Sequence, residues 1–292
     1  MPADRTAKSY DVGITGASKS ALFEVLTALR SHRETIVLVG GWVPYFLIED
    51  NRKTGSDFVH VGSIDIDLAV DDSRITGEEY ATIVKLLEGR GFSLSSDAKG
   101  DPVPNRFEKS VAVHGRSATA KIEIDFLTGM ADPRIGKHRH RMIQDSLLAR
   151  KTHGCDAAFR HQVVVSRHGR LPNGSEVKVD VRMADLVGCL AMKGIVLGER
   201  YKEKDAYDVF ALVAHYNGGA RAVADALRPC LGEPLVDEGM ARIGDAFRRR
   251  DANGPAWIAD FIGHASDEDR ERIITDAYMN VRELVELLVD RR

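Results

Sequence analysis

Two aspartates separated by a single residue, Asp65 and Asp67, have the types and spacing that most directly suggest chemistry in this chain. They belong to a strand-like run over residues 63–70, and side chains alternate between the two faces of a strand. Both carboxylates should therefore project from one face, where they repel each other unless a cation joins them. Paired carboxylate oxygens suit Mg²⁺, which proteins usually hold with one or two carboxylates together with substrate phosphates. The run predicts a metal–nucleotide site on a strand; the alternative is a solvent-facing strand edge that carries two acids.

A glycine pair, Gly40-Gly41, lies upstream between a predicted strand over 35–39 and a predicted helix over 42–48. The strand prediction rests on a short apolar run that is rich in β-branched residues. Glycines at a strand-to-helix turn let a phosphate approach the backbone, and the N-terminus of the helix favours the anion. An ordinary tight turn would also account for the pair. Ser63, just ahead of the aspartates, would either contact phosphate or simply begin the strand.

The order of these elements is strand, Gly-Gly turn, helix, loop and Asp-x-Asp. This order is similar to that of the DNA polymerase β-like nucleotidyltransferases. The resemblance implies that the glycine turn contacts a nucleoside triphosphate and that Asp65 and Asp67 bind the metal ions. The second position of the turn is a glycine instead of a serine, so no hydroxyl is present there to bind phosphate.

The same resemblance implies a third carboxylate on a neighbouring strand. The predicted strand over 118–127 offers two acids on one face, Glu123 and Asp125, because they are two residues apart. The resemblance favours Asp125, which comes last before the strand ends, and leaves Glu123 as the alternative. Asp180, in a strand-like run over 177–181, is a further option, although that run is more typical of an edge strand in a later hairpin.

A second signature follows in the helical part of the chain, within residues 191–208. It resembles the AbiEii-type abortive-infection toxins, which are nucleotidyltransferases of the bacterial type IV toxin–antitoxin class. The similarity runs in the family's order from about residue 37 to residue 212 and leaves the chain after about residue 216 without a motif. It implies that a lysine contacts the triphosphate, that the acids after it complete the pocket and that the last acid takes part in catalysis. The residues concerned are Lys193, Arg200, Lys204, Asp205 and Asp208.

The spacing within this signature constrains its geometry. Lys193 and Asp208 are fifteen residues apart, and one straight helix would separate them by about 22 Å. They could not then share one nucleotide. Gly198 and the charged residues after it allow one helix to end and another to begin, and we expect a helical hairpin that brings the two side chains together. The alternative for each charged residue here is a solvated helix surface, with Asp205 favoured near a helix N-terminus by the dipole.

Composition is typical of a soluble enzyme. The 292 residues carry a formal net charge of −3, so the chain as a whole is no general binder of polyanions. A basic tract over 137–141 is a candidate RNA contact, or a solvated charge run. The three cysteines are odd in number, widely spaced and unlike metal ligands, which predicts free thiols in a reducing compartment. No apolar stretch approaches the length of a membrane span and no apolar signal core follows the N-terminus, so we expect a cytoplasmic protein without membrane association.

The pattern of elements predicts the α+β class: a nucleotidyltransferase-like mixed sheet with flanking helices, followed by a helical C-terminal part. The expected domains are residues 1–182 and 183–292, with the second contributing to the active site. Local patterns predict a helix that begins at Ser18 as its N-cap and a capping box at Thr76 and Glu79 that begins another helix. A hairpin is expected between runs over 160–165 and 176–181.

Together these features predict an enzyme that transfers a nucleotide from a nucleoside triphosphate, such as ATP, to an acceptor hydroxyl with the help of Mg²⁺ or Mn²⁺. By resemblance, the acceptor is an RNA such as tRNA and the protein is a toxin balanced by a cognate antitoxin protein. The alternatives are transfer to a small molecule or to a protein side chain, and a catalytically silent relative that only binds nucleotide.

Overall fold

The structure is a computed structural model that describes residues 6–71, 77–130, 140–144, 147–199 and 203–289. Its described residues confirm the predicted α+β class, because a mixed sheet with flanking helices is followed by a run of helices. Contacts divide the chain into two compact units. The sheet unit comprises residues 12–42 and 63–184, and the helical unit comprises residues 1–11, 43–62 and 185–292.

The sheet unit is built on a nine-stranded sheet within the described ranges. Its strands are β1 (Ile36–Val39), β2 (Ile66–Val70), β3 (Ser93–Ser96), β4 (Pro102–Ala112), β5 (Thr119–Thr128), β6 (His140–Gln144), β7 (Leu147–Lys151), β8 (Gln162–Arg170) and β9 (Glu176–Ala184). The strand order is β3-β4-β5-β2-β1-β9-β8, with β7 pairing with β5 and β6. β2 is antiparallel to β1 and parallel to β5. β1 and β2 are almost wholly buried, in keeping with their apolar sequences.

The helices of the described ranges begin and end as follows: α1 (Val12–Ala28), α2 (Trp42–Asp50), α3 (Gly77–Glu88), α4 (Cys155–Arg160), α5 (Leu186–Glu199), α6 (Glu203–His215), α7 (Ala220–Leu227), α8 (Pro234–Ala246), α9 (Asn253–Ile262) and α10 (Asp267–Val289). In the sheet unit, α1 and α4 pack against the sheet. In the helical unit, α5 packs against α6 and α8, and α6 packs against α9 and α10.

Two local predictions need correction. Ser18 is wrong as an N-cap, because α1 begins six residues earlier at Val12. The side chain of Ser18 is buried inside the helix, and its hydroxyl donates a hydrogen bond of 2.7 Å to the carbonyl oxygen of Ile64. The strand predicted over 63–70 is also too long, because β2 begins only at Ile66. The proposed N-cap Thr76 lies outside the described residues.

The helical unit takes in more of the chain than the C-terminal region expected from the sequence. Residues 43–62 belong to it, whereas the expected division placed them with the sheet. In this unit α5 and α8 pack closely, and a glycine on each helix lies against the backbone of the other helix. A Cβ added to Gly194 would lie 2.6 Å from the carbonyl carbon of Gly239, and one added to Gly239 would lie 2.7 Å from Cα of Ala191. Gly194 therefore permits a close helix crossing. Within the described ranges, none of the helices is both long enough and apolar enough to cross a membrane.

Candidate functional site

The glycine turn packs directly against one of the two aspartates. Val39, the last residue of β1, pairs with Asp67 on β2, so the chain enters the turn beside this carboxylate. Gly40 has a φ of +73°, a conformation that glycine adopts without steric cost. A Cβ at this position would also lie 2.7 Å from Cγ of Asp67 and so overlap the carboxyl group. The turn therefore requires glycine at position 40, for its backbone conformation and for the space that Asp67 occupies.

Asp67 and Asp125 lie side by side on neighbouring parallel strands. They are Cα partners in the pairing of β2 with β5, and partners in a parallel pair point to the same face of the sheet. Asp125 is buried, with 7% of its surface exposed, and Asp67 is half-buried. Asp125, the acid that the sequence analysis favours as the third carboxylate, therefore lies beside Asp67.

Asp65 precedes the first residue of β2 and is half-buried. The hydroxyl of Ser63 donates a hydrogen bond of 3.0 Å to the backbone carbonyl of Asp65. This bond orders the segment that leads into the strand, which is the second of the two roles considered for Ser63. A phosphate contact by Ser63 stays a prediction.

Sequence analysis missed two residues of β4 that bind the third acid. The side chain of Arg106 donates to both oxygens of Asp125, from Nε to Oδ1 at 2.9 Å and from Nη2 to Oδ2 at 2.8 Å. Asn105 donates from Nδ2 to the same Oδ1 at 3.2 Å. Arg106 also lies 3.0 Å from Glu123, through Nη1. The pKa of Arg106 lies above its ordinary value. The hydrogen bond to Asp125 contributes most to this rise, and the charges of Asp125, Glu123 and Asp65 add to it, whereas burial opposes it.

The three candidates for the third acid occupy different environments. Glu123 shares the face of Asp125 and contacts Lys121 at 3.1 Å as well as Arg106. Asp180 is exposed on β9, opposite Ser166 of β8, in the hairpin that the sequence predicts. β1 separates β9 from β2 in the sheet, so Asp180 is not on a strand adjacent to β2, which carries Asp67. Of the three, Asp125 is the one in register with Asp67.

Carboxylate oxygens are the ligand type that a hard divalent cation prefers, although Asp65, Asp67 and Asp125 do not bring three such oxygens within 4.8 Å of one another. Mg²⁺ and Mn²⁺ prefer oxygen ligands, and an ionised carboxylate has about four lone-pair sites. Within the described residues, Oδ1 of Asp125 accepts two hydrogen bonds and Oδ2 accepts one. One lone pair of Oδ2 therefore stays available for a metal ion while Arg106 remains in place. Asp65 and Asp67 would be the other two ligands.

Thiol chemistry does not suit either buried cysteine. All three cysteines are free, and Cys155 and Cys189 are buried. Burial, and to a smaller extent the charges of Asp156 and Asp67, raise the pKa of the Cys155 thiol. Burial also raises the pKa of Cys189, to about 12. Because the thiolate is the nucleophile, these two groups stay inert near neutral pH.

The helical unit contains a separate buried cluster of charges, which we call the α5–α6 cluster: Lys193, Lys204, Asp205, Asp208 and His60. Nζ of Lys193 lies 2.7 Å from Asp205 Oδ1 and 2.7 Å from Asp208 Oδ2. Lys204 forms an ion pair with Oδ1 of Asp208 from one turn earlier on α6. The helical hairpin expected from the sequence thus brings Lys193 together with Asp205 and Asp208. Arg200 lies outside the described residues.

The charges of this cluster balance one another. Although burial acts to raise it, the pKa of Asp208 is held well below its usual range by Lys193 and Lys204. Although burial acts to lower it, the pKa of Lys193 is raised by Asp205 and Asp208. Burial lowers the pKa of Lys204, and the charge of Lys193 adds to this. Two lysines and two aspartates sum to zero charge, as burial of this many ions requires.

His60 completes the cluster, and the sequence analysis did not single it out. Its Nδ1 accepts a hydrogen bond of 3.1 Å from the backbone N–H of Gly62. Nδ1 therefore carries no proton, and Nε2 donates to Asp208 Oδ1 at 2.9 Å. Burial, and next the charge of Lys204, lower the pKa of His60 to about 4. The backbone N–H of Val61 donates to the hydroxyl of Tyr207 at 3.3 Å, so α6 binds the segment over 60–62 at two points.

Comparisons with known proteins find similarity among solved structures. No protein-family model matches the chain, and no curated protein does. A similar solved structure is described as the crystal structure of an antigenic nucleotidyltransferase-like protein from Paracoccidioides brasiliensis. The two chains are 13% identical, the match covers 83% of this chain and 90% of the other, and the TM-score is 0.44. A similarity of this degree carries no weight for function, which has to be argued from the site itself.

Proposed function

We propose that this protein is a metal-dependent nucleotidyltransferase whose active site lies in the sheet unit. The observation that carries the proposal is the packing of Gly40 against the carboxylate of Asp67, with Asp125 in register on the next strand. A glycine turn and a pair of adjacent acids are thereby joined in one local structure. An edge strand with two solvated acids would not need glycine at position 40.

Each part of this structure has a distinct role in the proposed reaction. The Gly40-Gly41 turn leads into the N-terminus of α2, where backbone N–H groups receive the triphosphate. Asp65 and Asp67 hold the divalent cation, and Asp125 helps to activate the acceptor hydroxyl. A divalent cation held by these residues would supply neutralisation of the negative charge that develops during the transfer.

The reaction itself is an exchange of bonds at the α-phosphorus. The acceptor oxygen forms its bond to this phosphorus, the bond to the bridging oxygen breaks, and pyrophosphate leaves. The proton of the acceptor hydroxyl passes to Asp125 or to solvent. The contribution of the protein is then mostly positioning and charge neutralisation.

For the acceptor we propose an RNA such as tRNA, and for the cellular role a toxin that an antitoxin protein restrains. Support comes from the helical signature, whose Lys193, Asp205 and Asp208 lie in contact. The triphosphate contact that the resemblance implies for Lys193 stays a prediction. Of the basic tract, residues 137–139 lie outside the described part of the chain, while His140 and Arg141 are half-buried.

One observation favours a second function, that of a catalytically silent nucleotide-binding protein. Both oxygens of Asp125 accept hydrogen bonds from Arg106, which neutralises the acid proposed to activate the acceptor. If Arg106 stayed in this position with nucleotide bound, the site would bind substrate without transferring it. Transfer activity and nucleotide binding must therefore be measured separately.

The decisive experiment incubates the protein with radiolabelled nucleoside triphosphates, Mg²⁺ and total RNA. We expect label in RNA with wild type and its loss with Asp67→Asn, because this change removes a metal ligand while keeping the shape of the side chain. Asp180→Asn is the matched control, since Asp180 is an exposed aspartate on another strand of the same sheet. Equal transfer by wild type and Asp67→Asn would refute the proposed active site.

The acceptor and the third acid need their own assays. Asp125→Asn should reduce transfer far more than Glu123→Gln does, because only Asp125 is in register with Asp67. Label in a small molecule or in protein, with none in RNA, would replace the RNA proposal. Expression of wild type alone should slow bacterial growth, and Asp67→Asn should relieve this effect. Tight nucleotide binding without transfer to any acceptor would establish the silent form.

A further inference from the structure

β8 is an edge strand of the sheet unit, and its outer side has no partner strand in the described part of the chain. It comes last in the strand order and pairs with β9 alone among the described strands. This pairing runs from Gln162 to Arg170 without a bulge, and the strand contains no proline. Bulges and prolines are devices that keep a sheet edge from pairing with another chain. The free N–H and C=O groups of β8 are therefore open to a further strand.

The turn of the hairpin shows which backbone groups of β8 point outward. The N–H of Leu171 donates to the carbonyl oxygen of Ser175 at 2.8 Å. Hydrogen-bonded and non-hydrogen-bonded pairs alternate along an antiparallel ladder, so every second residue of β8 bonds to β9. The residues whose N–H and C=O groups point away from β9 are then Gln162, Val164, Ser166, His168 and Arg170.

The side chains beside this edge are rich in hydrogen-bond donors near the turn. His168 lies opposite Lys178, and neither side chain forms an ion pair within the described ranges. Arg170 lies 3.7 Å from Glu176, and both of these side chains are exposed. The four side chains line one depression of about 480 Å³. Its three donor groups outnumber its one carboxylate, so the depression suits an added acid.

We propose that β8 binds an extended segment of a partner protein in which acidic and apolar residues alternate. The segment adds a strand to the sheet by bonding to the outward N–H and C=O groups. Every second side chain of an added strand lies on the face of His168 and Lys178, where a carboxylate accepts hydrogen bonds from both. The side chains between them lie on the face of Val163 and Val165, which are half-buried, and apolar residues fit there.

This docking surface is separate from the proposed active site. β9 and β1 lie between β8 and β2, the strand that carries Asp67. The inference therefore goes beyond the proposed function and does not depend on it.

The test adds the full chain to a fluorescein-labelled hexapeptide of alternating glutamate and valine and measures the fluorescence anisotropy. A hexapeptide with its three glutamates in one block is the matched control, because it has the same charge but cannot place all its acids on one face of a strand. The alternating peptide should bind at least about fivefold more tightly than the block peptide. Lys178→Gln should weaken its binding about threefold. Lys99→Gln, which changes an exposed lysine elsewhere in the sheet unit, should leave it unchanged.

Ser166 offers two variants that separate the backbone contact from the side chain. Ser166→Pro removes an outward N–H without removing a bond to β9, and proline is tolerated at such edge positions. Ser166→Ala keeps the N–H and loses only the hydroxyl. Peptide binding should weaken about tenfold in Ser166→Pro and change less than about twofold in Ser166→Ala. Circular dichroism checks that both variants are folded.

Amide hydrogen exchange of the wild-type chain gives a readout that depends on no variant. The outward amides of Val164, Ser166 and His168 should exchange fast in the protein alone and slowly with the alternating peptide. The amides of Val165 and Arg167 are internal controls, because they bond to β9 and should exchange slowly in both cases.

The possible outcomes distinguish this docking site from other uses of the edge. Preference for the alternating peptide together with slowed exchange at the outward amides supports the proposal. Equal binding of the two peptides, or unchanged exchange at these amides, refutes it. Slow exchange there without peptide, in a protein that sediments as a dimer, would show that a second copy of the chain occupies the edge and would also refute it. Asp67→Asn should bind the peptide as wild type does, so this test and the transfer assay fail independently.

Discussion

Lowering the pH should destabilise the helical unit through His60. Burial lowers the pKa of this side chain to about 4 in the folded protein, against about 6.5 in the unfolded chain. Between these two values the unfolded chain binds more protons than the folded protein does. The stability that neutral His60 contributes is therefore complete above about pH 6.5 and is lost as the pH falls toward 4.

The two pKa values set the size of the effect. A pKa difference of one unit between the folded and unfolded states corresponds to about 1.4 kcal/mol in the free energy of unfolding. Most of this free energy is lost only when the pH lies well below about 6.5. Between about pH 7 and about pH 5, His60 should account for a loss of about 2 kcal/mol in the free energy of unfolding. Other groups titrate over the same range, so the contribution of His60 has to be isolated by mutation.

His60→Gln isolates this contribution. Glutamine has no titration in this range, and its amide can still donate to Asp208, although it loses the acceptor that binds the N–H of Gly62. We expect the variant to be less stable than wild type at pH 7 but to lose about 2 kcal/mol less on going to pH 5. Urea unfolding measures the stability at pH 7 and its loss at pH 5. Hydrogen exchange of the α6 amides reports on the helical unit.

The control for this experiment is His264→Gln, which removes an exposed histidine of the same unit. Its stability should depend on pH as that of wild type does. If wild type and His60→Gln lose equal stability between pH 7 and pH 5, His60 is not held neutral by burial and the reasoning is wrong.

Three further predictions concern close packing and buried charge. Gly40→Ala should abolish nucleotide transfer and cost about 1–3 kcal/mol in thermal unfolding, because its Cβ would overlap the Asp67 carboxyl group; a fully active variant would contradict the packing at the turn. Gly194→Ala should cost about 1–3 kcal/mol by forcing α5 away from α8, measured by urea unfolding. Gly16→Ala, at an open position on α1, should be neutral or slightly stabilising, and equal costs for these two changes would refute the helix-crossing argument. Asp208→Ala should cost about 3–5 kcal/mol, because it leaves two buried lysines without a shared carboxylate, and circular dichroism during heating would show it. A loss below about 1 kcal/mol would mean that water or another acid takes over this role.

Local sequence patterns were sufficient for β1, α2 and β5. The β-branched run before Gly40 predicts β1, and α2 follows from Trp42 as expected. The two-residue spacing of Glu123 and Asp125 correctly places them on one face, where Arg106 contacts both. These predictions succeeded because alternation along a strand is a property of a few neighbouring residues. The hairpin of β8 and β9 and the hairpin of α5 and α6 are local in the same sense.

Three neighbours of the candidate site residues were missed for identifiable reasons. Sequence analysis did not single out Asn105 or Arg106, and prolines at 102 and 104 are untypical of a strand interior, yet β4 begins at Pro102. His60 lies in a segment without regular secondary structure, and nothing in its neighbours indicates that it is buried. Its partner Asp208 is 148 residues away in the chain, beyond the reach of any periodic pattern.

The sequence by itself determined the types and spacing of the acids, the glycine turn, the helical signature and the α+β class, since each depends on short-range geometry and composition. Only the tertiary structure decided that β2 and β5 pair in the register that joins Asp67 to Asp125. It also decided that Arg106 neutralises Asp125 and that Lys193 lies between two aspartates. The physical reason is that strand register and the pairing of buried charges depend on contacts between distant segments, whose energies become defined only when the whole core has formed.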